Sequence, residues 1–528
     1  MAGKEIGRGS RSGHPALTPL SPAGGAGASG VNGATGATGV TGGAGATGAG
    51  GVGKGERFRA WLILSSLLFL LALLAGRLVY LQVVLHPSYA ARAALQHWKK
   101  IPLAGRRGAI RDRTGELLAL ARSVPSVWAD PGEVAGAGAS PRDLGWVLER
   151  LLDVPAPFLT ERLSGARRFS WLKRRVPVAV ADTVFDRKLP GVHVLLENAR
   201  AYPRGTLLAH VLGFADIDNI GREGVERYFD RSLAGEQGFR WLEKDGRIAY
   251  RLIYSPRVME VLPQDGHDLH LTIDYRLQQI AEEEMDNLVN EWHPLGAALV
   301  AMEVDTGRVV AMVSRPAFDP NLFSQAEPDN WQNRAVLYEY EPGSTMKPMV
   351  ISRLLDLKEV TPETTLNCEN GLWMVRNDRG RLVRTVRDFH TRHRDVDMLS
   401  VADILIQSSN VGAAKLGLKL GIDRTYDHLV RMGFGRPTEI QLPGESGGIL
   451  RPREKWTRDY SLISVSYGYE IRVTPLQMVR GMACLVNGGY LLAPRILERI
   501  EGQDGRVLTS FSRTVLDRPL SEETSRIM

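Results

Sequence analysis

One long run of apolar residues dominates the hydrophobic pattern of this chain and lies near its N-terminus. The run starts at Trp61 and extends to Leu85, which is enough to cross a bilayer core of about 30 Å. Arg77 lies near one end of the run, where a long basic side chain can reach the lipid headgroups. We therefore predict a membrane anchor at residues 58–85. A cleaved signal peptide is disfavoured, because the preceding leader is long and no A-x-A-like site follows.

The leader at residues 1–57 is dominated by Gly, Ala, Thr and Ser. Such a segment buries too little apolar surface to offset its ordering entropy, so we predict a disordered tail. Lys54, Arg57 and Arg59 lie just ahead of the apolar run. Basic residues favour the cytoplasmic side of a membrane, which places the tail in the cytoplasm and the bulk of the chain outside it.

Two further regions follow the anchor. Residues 86–265 mix short apolar stretches such as Val192–Leu196 with Gly-rich turns such as Ala135–Gly138, and they predict a mixed α/β domain. A more regular domain is predicted at residues 266–528. Its first strand, Leu269–Ile273, ends at Asp274, a good helix N-cap. Helical spacing is then shown by Leu277, Ile280, Ala281, Met285 and Leu288.

A hairpin is predicted directly after this helix. Ala297–Glu303 reads as one strand, the sequence Asp305-Thr306-Gly307 turns the chain, and Arg308–Val313 reads as the returning strand. A helix followed by an antiparallel hairpin indicates an α+β fold with a helical insertion.

Composition adds little to this pattern. Apolar residues make up 44% and charged residues 24%, and the formal net charge is +7. The basic residues are scattered and no nucleic-acid motif accompanies them, so no nucleic-acid partner is expected. The two cysteines, Cys368 and Cys484, are too few for a disulfide scaffold, and we interpret them as separate thiols. His390 and His393 have a metal-like spacing but are interpreted as part of a polar loop, so neither a metal nor a cofactor is expected.

Two short motifs contain the candidate catalytic residues. The first is Ser344-Thr345-Met346-Lys347, which follows a Pro-Gly turn and precedes an apolar run, so Ser344 is predicted at the start of a helix. Ser344 and Lys347 stand at i and i+3 and share one helix face. A serine hydroxyl needs a neighbour that takes its proton, and Lys347 can do this if burial lowers its pKa. A surface lysine is the alternative interpretation.

The second motif, Ser408-Ser409-Asn410, is predicted to form a loop between two helical stretches. Ser408 can pass a proton to a leaving amine, and Asn410 can hold a substrate amide and orient Lys347. A helix-capping loop is the alternative. The two motifs in this order favour a serine acyl-transfer site with Ser344, Lys347 and Ser408 as catalytic residues and Asn410 as a substrate-binding residue.

At this point the sequence resembles the class B penicillin-binding proteins, in particular their FtsI-type branch. The resemblance runs from Trp61 to the end of the chain. It rests on the stretches 107–115 (RGAIRDRTG), 200–205 (RAYPRG), 221–226 (GREGVE), 341–348 (EPGSTMKP), 407–412 (QSSNVG), 466–469 (SYGY) and 473–477 (VTPLQ).

The resemblance implies a short cytoplasmic tail, one helix in the bacterial inner membrane, a dimerisation-type pedestal at residues 86–265, and a transpeptidase domain of the penicillin-recognising serine fold. It implies D,D-transpeptidation of peptidoglycan stem peptides at the division septum and acylation by penicillin and other β-lactams. It also implies two kinds of partner, the divisome proteins and a membrane glycosyltransferase.

One family motif is missing. No K-[ST]-G follows Ser408 among Lys415, Lys419 and Lys455, although the family carries this motif on the strand beside its nucleophile. A donor just beyond it helps to form the oxyanion hole, and loss of one such donor costs about 10²–10³ in rate. We therefore expect an incomplete reading frame or a truncated gene, with impaired activity as written.

Three alternatives stay open from the sequence. A non-catalytic divisome scaffold would keep the anchor and the pedestal. An elongation-specific class B transpeptidase would carry the same motifs. A β-lactamase or β-lactam sensor is disfavoured, because the long pedestal does not suit a simple hydrolase and no H-E-x-x-H motif is present.

Overall fold

The computed structural model describes residues 54–86, 89, 98–103, 105–165, 167–243, 260–377, 379–389 and 397–528. The predicted tail lies outside these residues apart from its last four, and so do His390 and His393. The chain divides into two compact units, Met1–Ser88 and Tyr89–Met528, each of which is described by itself.

The first unit contains the anchor. Helix α1 spans Lys54–Val79 and continues as a π-helical turn at Tyr80–Val84. The segment Trp61–Val84 is long and apolar enough to cross a membrane, and its residues are exposed apart from Leu81, which is half-buried. Such exposure of a predominantly apolar helix fits a lipid environment, as predicted for residues 58–85.

The second unit is mixed α and β, which confirms the predicted fold class. Its helices are α2 (Pro131–Gly136), α3 (Pro141–Leu152), α4 (Ala156–Leu163), α5 (Val178–Asp186), α6 (Ala209–Leu212), α7 (Gly224–Tyr228), α8 (Asp230–Leu233), α9 (Tyr275–Trp292), α10 (Arg334–Leu337), α11 (Lys347–Asp356), α12 (Val401–Ile406), α13 (Asn410–Leu420), α14 (Ile422–Arg431), α15 (Ile463–Ser466), α16 (Pro475–Val486) and α17 (Glu522–Ile527).

The strands of this unit lie in several small sheets and one large one. They are β1 (Trp98–Leu103), β2 (Ile110–Arg111), β3 (Leu117–Ala129), β4 (Ser170–Lys173), β5 (Val192–Ala201), β6 (Gly238–Glu243), β7 (Glu260–Val261), β8 (Asp268–Leu271), β9 (Ala297–Met302), β10 (Val309–Arg315), β11 (Thr365–Asn367), β12 (Leu372–Arg376), β13 (Leu382–Arg387), β14 (Met398–Ser400), β15 (Ile449–Leu450), β16 (Ile471–Arg472), β17 (Leu491–Leu492), β18 (Leu497–Glu501), β19 (Val507–Ser510) and β20 (Val515–Asp517).

The large sheet has seven strands in the order β19-β18-β8-β2-β3-β4, with β5 also paired to β3. Strands β2 and β8 run parallel, with Ile110 opposite Leu269, and the other pairs are antiparallel. The sheet therefore crosses residue 266, where the sequence predicts a domain boundary. That boundary stays a prediction, and the sheet joins the two sides of it.

A buried ionic network holds the N-terminal side of this unit together. The Glu226 carboxylate, which is fully buried, accepts hydrogen bonds from Arg107 Nε at 2.6 Å and from Arg200 Nε at 2.5 Å. Tyr202 Oη donates to the same carboxylate at 3.3 Å, and Arg107 also reaches Asp230 at 2.7 Å. Residues from the stretches 107–115, 200–205 and 221–226 thus meet at one carboxylate. This buried charge is tolerated because it is paired and hydrogen-bonded.

The helix predicted after Asp274 is confirmed as α9, and Asp274 caps it by accepting the backbone N–H groups of Arg276 and Leu277. The residues that this helix buries differ from those that the apolar spacing of the sequence selects. Gln278 and Glu282 are buried together with Ala281 and Met285, whereas exposed positions on the helix include Leu277, Ile280 and Leu288.

The two buried polar residues of α9 have long-range partners. Gln278 exchanges two hydrogen bonds with the backbone of Met312, at 2.8 and 2.9 Å, and Glu282 pairs with Arg315 at 2.7 Å. The partners lie on β10, which forms the predicted antiparallel hairpin with β9, with Met312 opposite Val300. These contacts fix the rotation of the helix on the hairpin, because each buried polar atom must keep a partner.

Candidate active site

Ser344 lies at the entrance of the helix that the sequence predicts for it. A 3₁₀ turn at Gly343–Met346 leads into α11, whose first turn contains Pro348, a position where no N–H bond is lost. The Lys347 backbone N–H donates to the Ser344 carbonyl oxygen within this turn. The Ser344 side chain is exposed, so a substrate in solvent can reach its hydroxyl.

Lys347, three positions later, is buried, with 1% of its surface exposed. Its Nζ atom donates to the backbone carbonyl oxygen of Ser408 at 2.6 Å and lies 3.0 Å from Ser408 Oγ. Burial lowers the pKa of Lys347 to about 8, and the Asp388 carboxylate opposes part of this shift. The alternative of an ordinary surface lysine is therefore wrong, and the amine is close to the state that a proton acceptor needs.

The loop that carries Ser408 is built by two helices, as the sequence predicts. Helix α12 begins with a capping box in which Ser400 and Asp403 bond each other's backbone, and α13 begins at Asn410. Ser409 is the N-cap of α13 and accepts the Gly412 N–H at 3.0 Å. Ser408 itself has a φ of +56°, a left-handed conformation that serine rarely adopts. The helix-capping interpretation of the motif therefore holds for Ser409, while Ser408 faces Lys347.

The Asn410 side chain has a partner other than Lys347. Its Nδ2 atom donates to the backbone carbonyl oxygen of Arg387 at 2.9 Å. In the part of the chain that the structure describes, both side-chain hydrogen bonds of Lys347 go to Ser408 and none goes to Asn410 or to Ser344. The substrate-binding and orienting roles of Asn410 stay predictions.

A second segment contacts the turn that holds Ser344. The Gly343 N–H donates to the Gly468 carbonyl oxygen at 3.0 Å, and Tyr340 pairs with Val473 in an antiparallel bridge. Gly468 has a φ of +87°, and a Cβ atom there would lie 2.0 Å from the Gly343 carbonyl oxygen. Only glycine fits so close to the turn that holds Ser344.

Two residues of the site were missed by sequence reasoning, Arg384 on β13 and Asp388 directly after β13. Arg384 donates to Ser464 Oγ at 2.7 Å and to Tyr467 Oη at 2.6 Å, beside Gly468. Asp388 accepts hydrogen bonds from the Ser408-Ser409-Asn410 loop and from α13. The sequence signal for Asp388 was its place directly after a strand of alternating pattern. From the sequence alone, such an aspartate cannot be distinguished from a turn residue.

Both cysteines are buried and unpaired, which confirms separate thiols. Burial raises the pKa of Cys484 to about 12, so this thiol stays protonated. Among the described ranges, no group of His, Cys, Asp and Glu side chains has the arrangement of a metal site.

The arrangement fits the acyl-transfer site that the sequence predicts, and the catalytic roles of its residues stay predictions. It combines an accessible serine hydroxyl, a buried amine with a lowered pKa, and a second hydroxyl in contact with that amine. An amine in this state can accept the serine proton, and the second hydroxyl can relay it to a leaving group.

Two family models match the chain. The first is "Penicillin binding protein transpeptidase domain" at residues 297–528, and the second is "Penicillin-binding Protein dimerisation domain" at residues 102–271. The first match contains Ser344, Lys347, Ser408 and Asn410.

Curated relatives match over most of the chain. The peptidoglycan D,D-transpeptidase FtsI of Escherichia coli K12 is 33% identical over 441 residues, covering 82% of this chain and 71% of the relative. Stage V sporulation protein D of Bacillus subtilis is 32% identical over 456 residues, covering 85% of this chain and 68% of the relative.

Solved structures agree on the fold. A peptidoglycan synthetase from Bifidobacterium adolescentis has a TM-score of 0.61 at 24% identity, covering 81% of this chain and 80% of that one. Penicillin Binding Protein 2X from Streptococcus thermophilus has a TM-score of 0.62 at 24% identity, covering 81% of this chain and 65% of that one. At this level of identity the likeness shows the fold alone.

Proposed function

The chain belongs to the class B penicillin-binding proteins, and from this we propose that it is a peptidoglycan D,D-transpeptidase working through an acyl-enzyme on Ser344. The observation that carries the proposal is the buried Lys347 amine in contact with Ser408, one helical turn from an exposed serine. The family relationship supports the substrate class, and the contact between Lys347 and Ser408 supports these two residues as the groups that move protons.

In the first half-reaction, Lys347 in its neutral form takes the proton of Ser344 Oγ. The oxygen attacks the carbonyl carbon of the penultimate D-Ala of a stem peptide, and an ester bond to Ser344 forms as the peptide C–N bond breaks. The proton passes from Lys347 through Ser408 to the leaving amine, and D-Ala departs.

In the second half-reaction, the amine of a neighbouring stem peptide attacks the ester carbonyl. The amine loses a proton to the same relay, a new peptide bond forms, and Ser344 leaves with its proton restored. A β-lactam enters the first half-reaction in place of the stem peptide, and its ring opening leaves a stable ester on Ser344.

Acyl transfer to an amine tests this proposal against hydrolysis. Purified protein would receive a thioester analogue of a D-Ala stem peptide together with a D-amino acid acceptor. A Ser344-dependent product joined to the acceptor supports a transpeptidase. Release of the free acid alone, with rapid loss of bound penicillin, would instead support a β-lactamase. No turnover of any kind would support the scaffold interpretation.

We also propose that the protein acts in septal wall synthesis, with its N-terminus in the cytoplasm and its catalytic domain outside the membrane. The motifs of the FtsI-type branch and the basic residues Lys54, Arg57 and Arg59 support this placement. The proposed partners are the divisome proteins and a membrane glycosyltransferase. Depletion should give filamentous cells; swollen or rounded cells would instead support the elongation-specific alternative.

A further inference from the structure

Asp388 occupies a buried position between the Ser408-Ser409-Asn410 loop and the hairpin of β12 and β13. It follows β13 directly, and 9% of its surface is exposed. Its own backbone N–H donates to the Gly371 carbonyl oxygen at 2.9 Å, which holds the main chain of Asp388 to the residue just before β12. A buried carboxylate is retained only where it has several hydrogen-bond donors, and its donors show which element it serves.

Within the described ranges, the side-chain hydrogen bonds of Asp388 go to the start of α13. Oδ1 accepts the backbone N–H groups of Asn410 at 2.6 Å and Val411 at 3.0 Å, and Oδ2 accepts Ser409 Oγ at 2.7 Å. These are among the first N–H groups of an 11-residue helix, which have no partner within the helix. Asp388 therefore joins two of them to the hairpin through a negative charge, the form of cap that the helix dipole favours.

The loop held in this way carries the strained residue of the site. Ser408, with its φ of +56°, immediately precedes the residues that Asp388 binds. Strain of this kind persists only where the surroundings fix the backbone, and here both oxygens of the strained residue face Lys347. A shift of the loop would move both acceptors of the amine at once.

The charge of Asp388 also acts on Lys347. It favours the protonated amine and so opposes the effect of burial on the pKa of Lys347. Among the residues that the structure describes, the charge of Asp388 also acts on the Cys368 thiol. The Lys415 ammonium acts on the same thiol and is paired with Glu369 at 2.8 Å. Arg384, on the same hairpin, bonds Ser464 and Tyr467.

We propose that Asp388 is a positioning residue that holds the Ser408-Ser409-Asn410 loop against Lys347 and, through its charge, sets the pH range in which Ser344 is acylated. This inference rests on the proposed acylation of Ser344. It assigns Asp388 two separable effects. One depends on its hydrogen bonds, and the other depends on its charge.

Two substitutions separate these effects. Asp388→Asn keeps an oxygen for the two backbone N–H groups, and its amide can donate to Ser409 Oγ, so the loop stays in place while the charge is lost. Asp388→Ala removes the hydrogen bonds as well. Asp403→Asn is the matched control, because Asp403 is a carboxylate at the start of the neighbouring helix α12 that bonds Ser400.

The measurement is the rate of acylation by a fluorescent penicillin from pH 6 to pH 10, in the detergent-solubilised full chain. We expect Asp388→Asn to keep the wild-type plateau but to move the midpoint of the profile down by roughly one pH unit. Asp388→Ala should lower the plateau by about tenfold to a hundredfold. Asp403→Asn should leave the midpoint unchanged.

A second readout does not depend on acylation. The ¹³Cε resonance of Lys347, assigned by its loss in Lys347→Arg, gives the midpoint of the amine directly. A lower titration midpoint of the Lys347 amine in Asp388→Asn than in wild type supports the inference. If this shift is seen but penicillin does not react, only the proposed function fails. An unchanged Lys347 midpoint in Asp388→Asn, or an equal shift in Asp403→Asn, would overturn it.

Discussion

The amine of Lys347 contacts both oxygens of Ser408, 2.6 Å from the carbonyl oxygen and 3.0 Å from the hydroxyl. This relationship joins the two sequence motifs into one site. It also explains how a buried lysine is tolerated, since two polar atoms replace the water that the amine has lost. In the proposed mechanism, the same contact is the route by which a proton taken from Ser344 passes to a second hydroxyl.

The first prediction concerns the pH dependence of acylation. Because burial lowers the pKa of Lys347 to about 8, the amine is mainly charged below that pH and mainly neutral above it. The acylation rate of Ser344 should therefore rise about tenfold per pH unit below pH 8 and level off above it. Stopped-time labelling with fluorescent penicillin measures this profile.

Two variants control this experiment. Lys347→Met should abolish labelling at every pH, while the exposed Lys419 on α13 should be replaceable by Met without effect. A wild-type rate that stays flat between pH 6 and pH 9 would argue against Lys347 as the proton acceptor.

The second prediction concerns Gly468. In Gly468→Ala the new Cβ would lie 2.0 Å from the Gly343 carbonyl oxygen, so the turn that holds Ser344 must move. We expect acylation to slow by about a hundredfold while the protein still folds. Gly444→Ala is the matched control, because Gly444 also has a positive φ of +75° but has no atom within 4 Å of a new Cβ. Equal losses in both variants would mean that backbone strain alone is responsible.

The third prediction concerns Glu226. Its removal would leave the buried side chains of Arg107 and Arg200 without their shared carboxylate. We expect Glu226→Ala to lower the free energy of unfolding by about 3–5 kcal/mol, as measured by urea denaturation. Glu223→Ala removes a more exposed partner 3.5 Å from Arg227 and should cost less than about 1 kcal/mol. Similar costs for the two variants would contradict the importance of burial.

The fourth prediction concerns acid stability. His428 is buried, and burial lowers its pKa from 6.5 to about 3. Its Nε2–H donates to the Met349 carbonyl oxygen at 3.0 Å, and Nδ1 has no hydrogen-bond partner among the described residues, so the folded state holds the ring neutral. Below pH 6.5 the unfolded state takes up a proton that the folded state does not, so stability falls as the pH falls toward 3.

The size of this effect follows from linkage. Between pH 7.5 and pH 5 the buried ring should cost about 2 kcal/mol. The His428→Gln variant should show that much less acid sensitivity in urea denaturation than wild type, whereas the exposed His267→Gln should match wild type. Identical slopes for wild type and His428→Gln would show that this histidine does not titrate as described.

Local signals in the sequence predicted the elements that depend on neighbouring residues. Asp274, as a candidate N-cap, correctly predicted the start of helix α9, and Pro348 was correctly predicted in the first turn of α11. The loop around Ser408 was correct for the same reason, since a cap and two apolar runs lie within a few residues of it. Such features follow from short-range backbone chemistry.

Features fixed by distant partners were not predictable in this way. The buried face of α9 follows from bonds between Gln278 and Met312, so apolar periodicity alone selects some of the wrong residues. Asp388 acts on a helix that begins 22 positions later, and its role depends on how the hairpin packs against that helix. The local sequence pattern does not predict that packing.

Covalent labelling of Ser344 tests the proposed activity most directly. Membranes of the source cell carrying an N-terminally tagged chromosomal copy would be treated with fluorescent penicillin, and the tagged protein would be isolated and digested. We expect the label on the peptide that contains Ser344, with no label in Ser344→Ala at equal protein level. A tagged protein that stays unlabelled in wild type, or that is labelled equally in Ser344→Ala, would contradict a serine acyl-enzyme at this position.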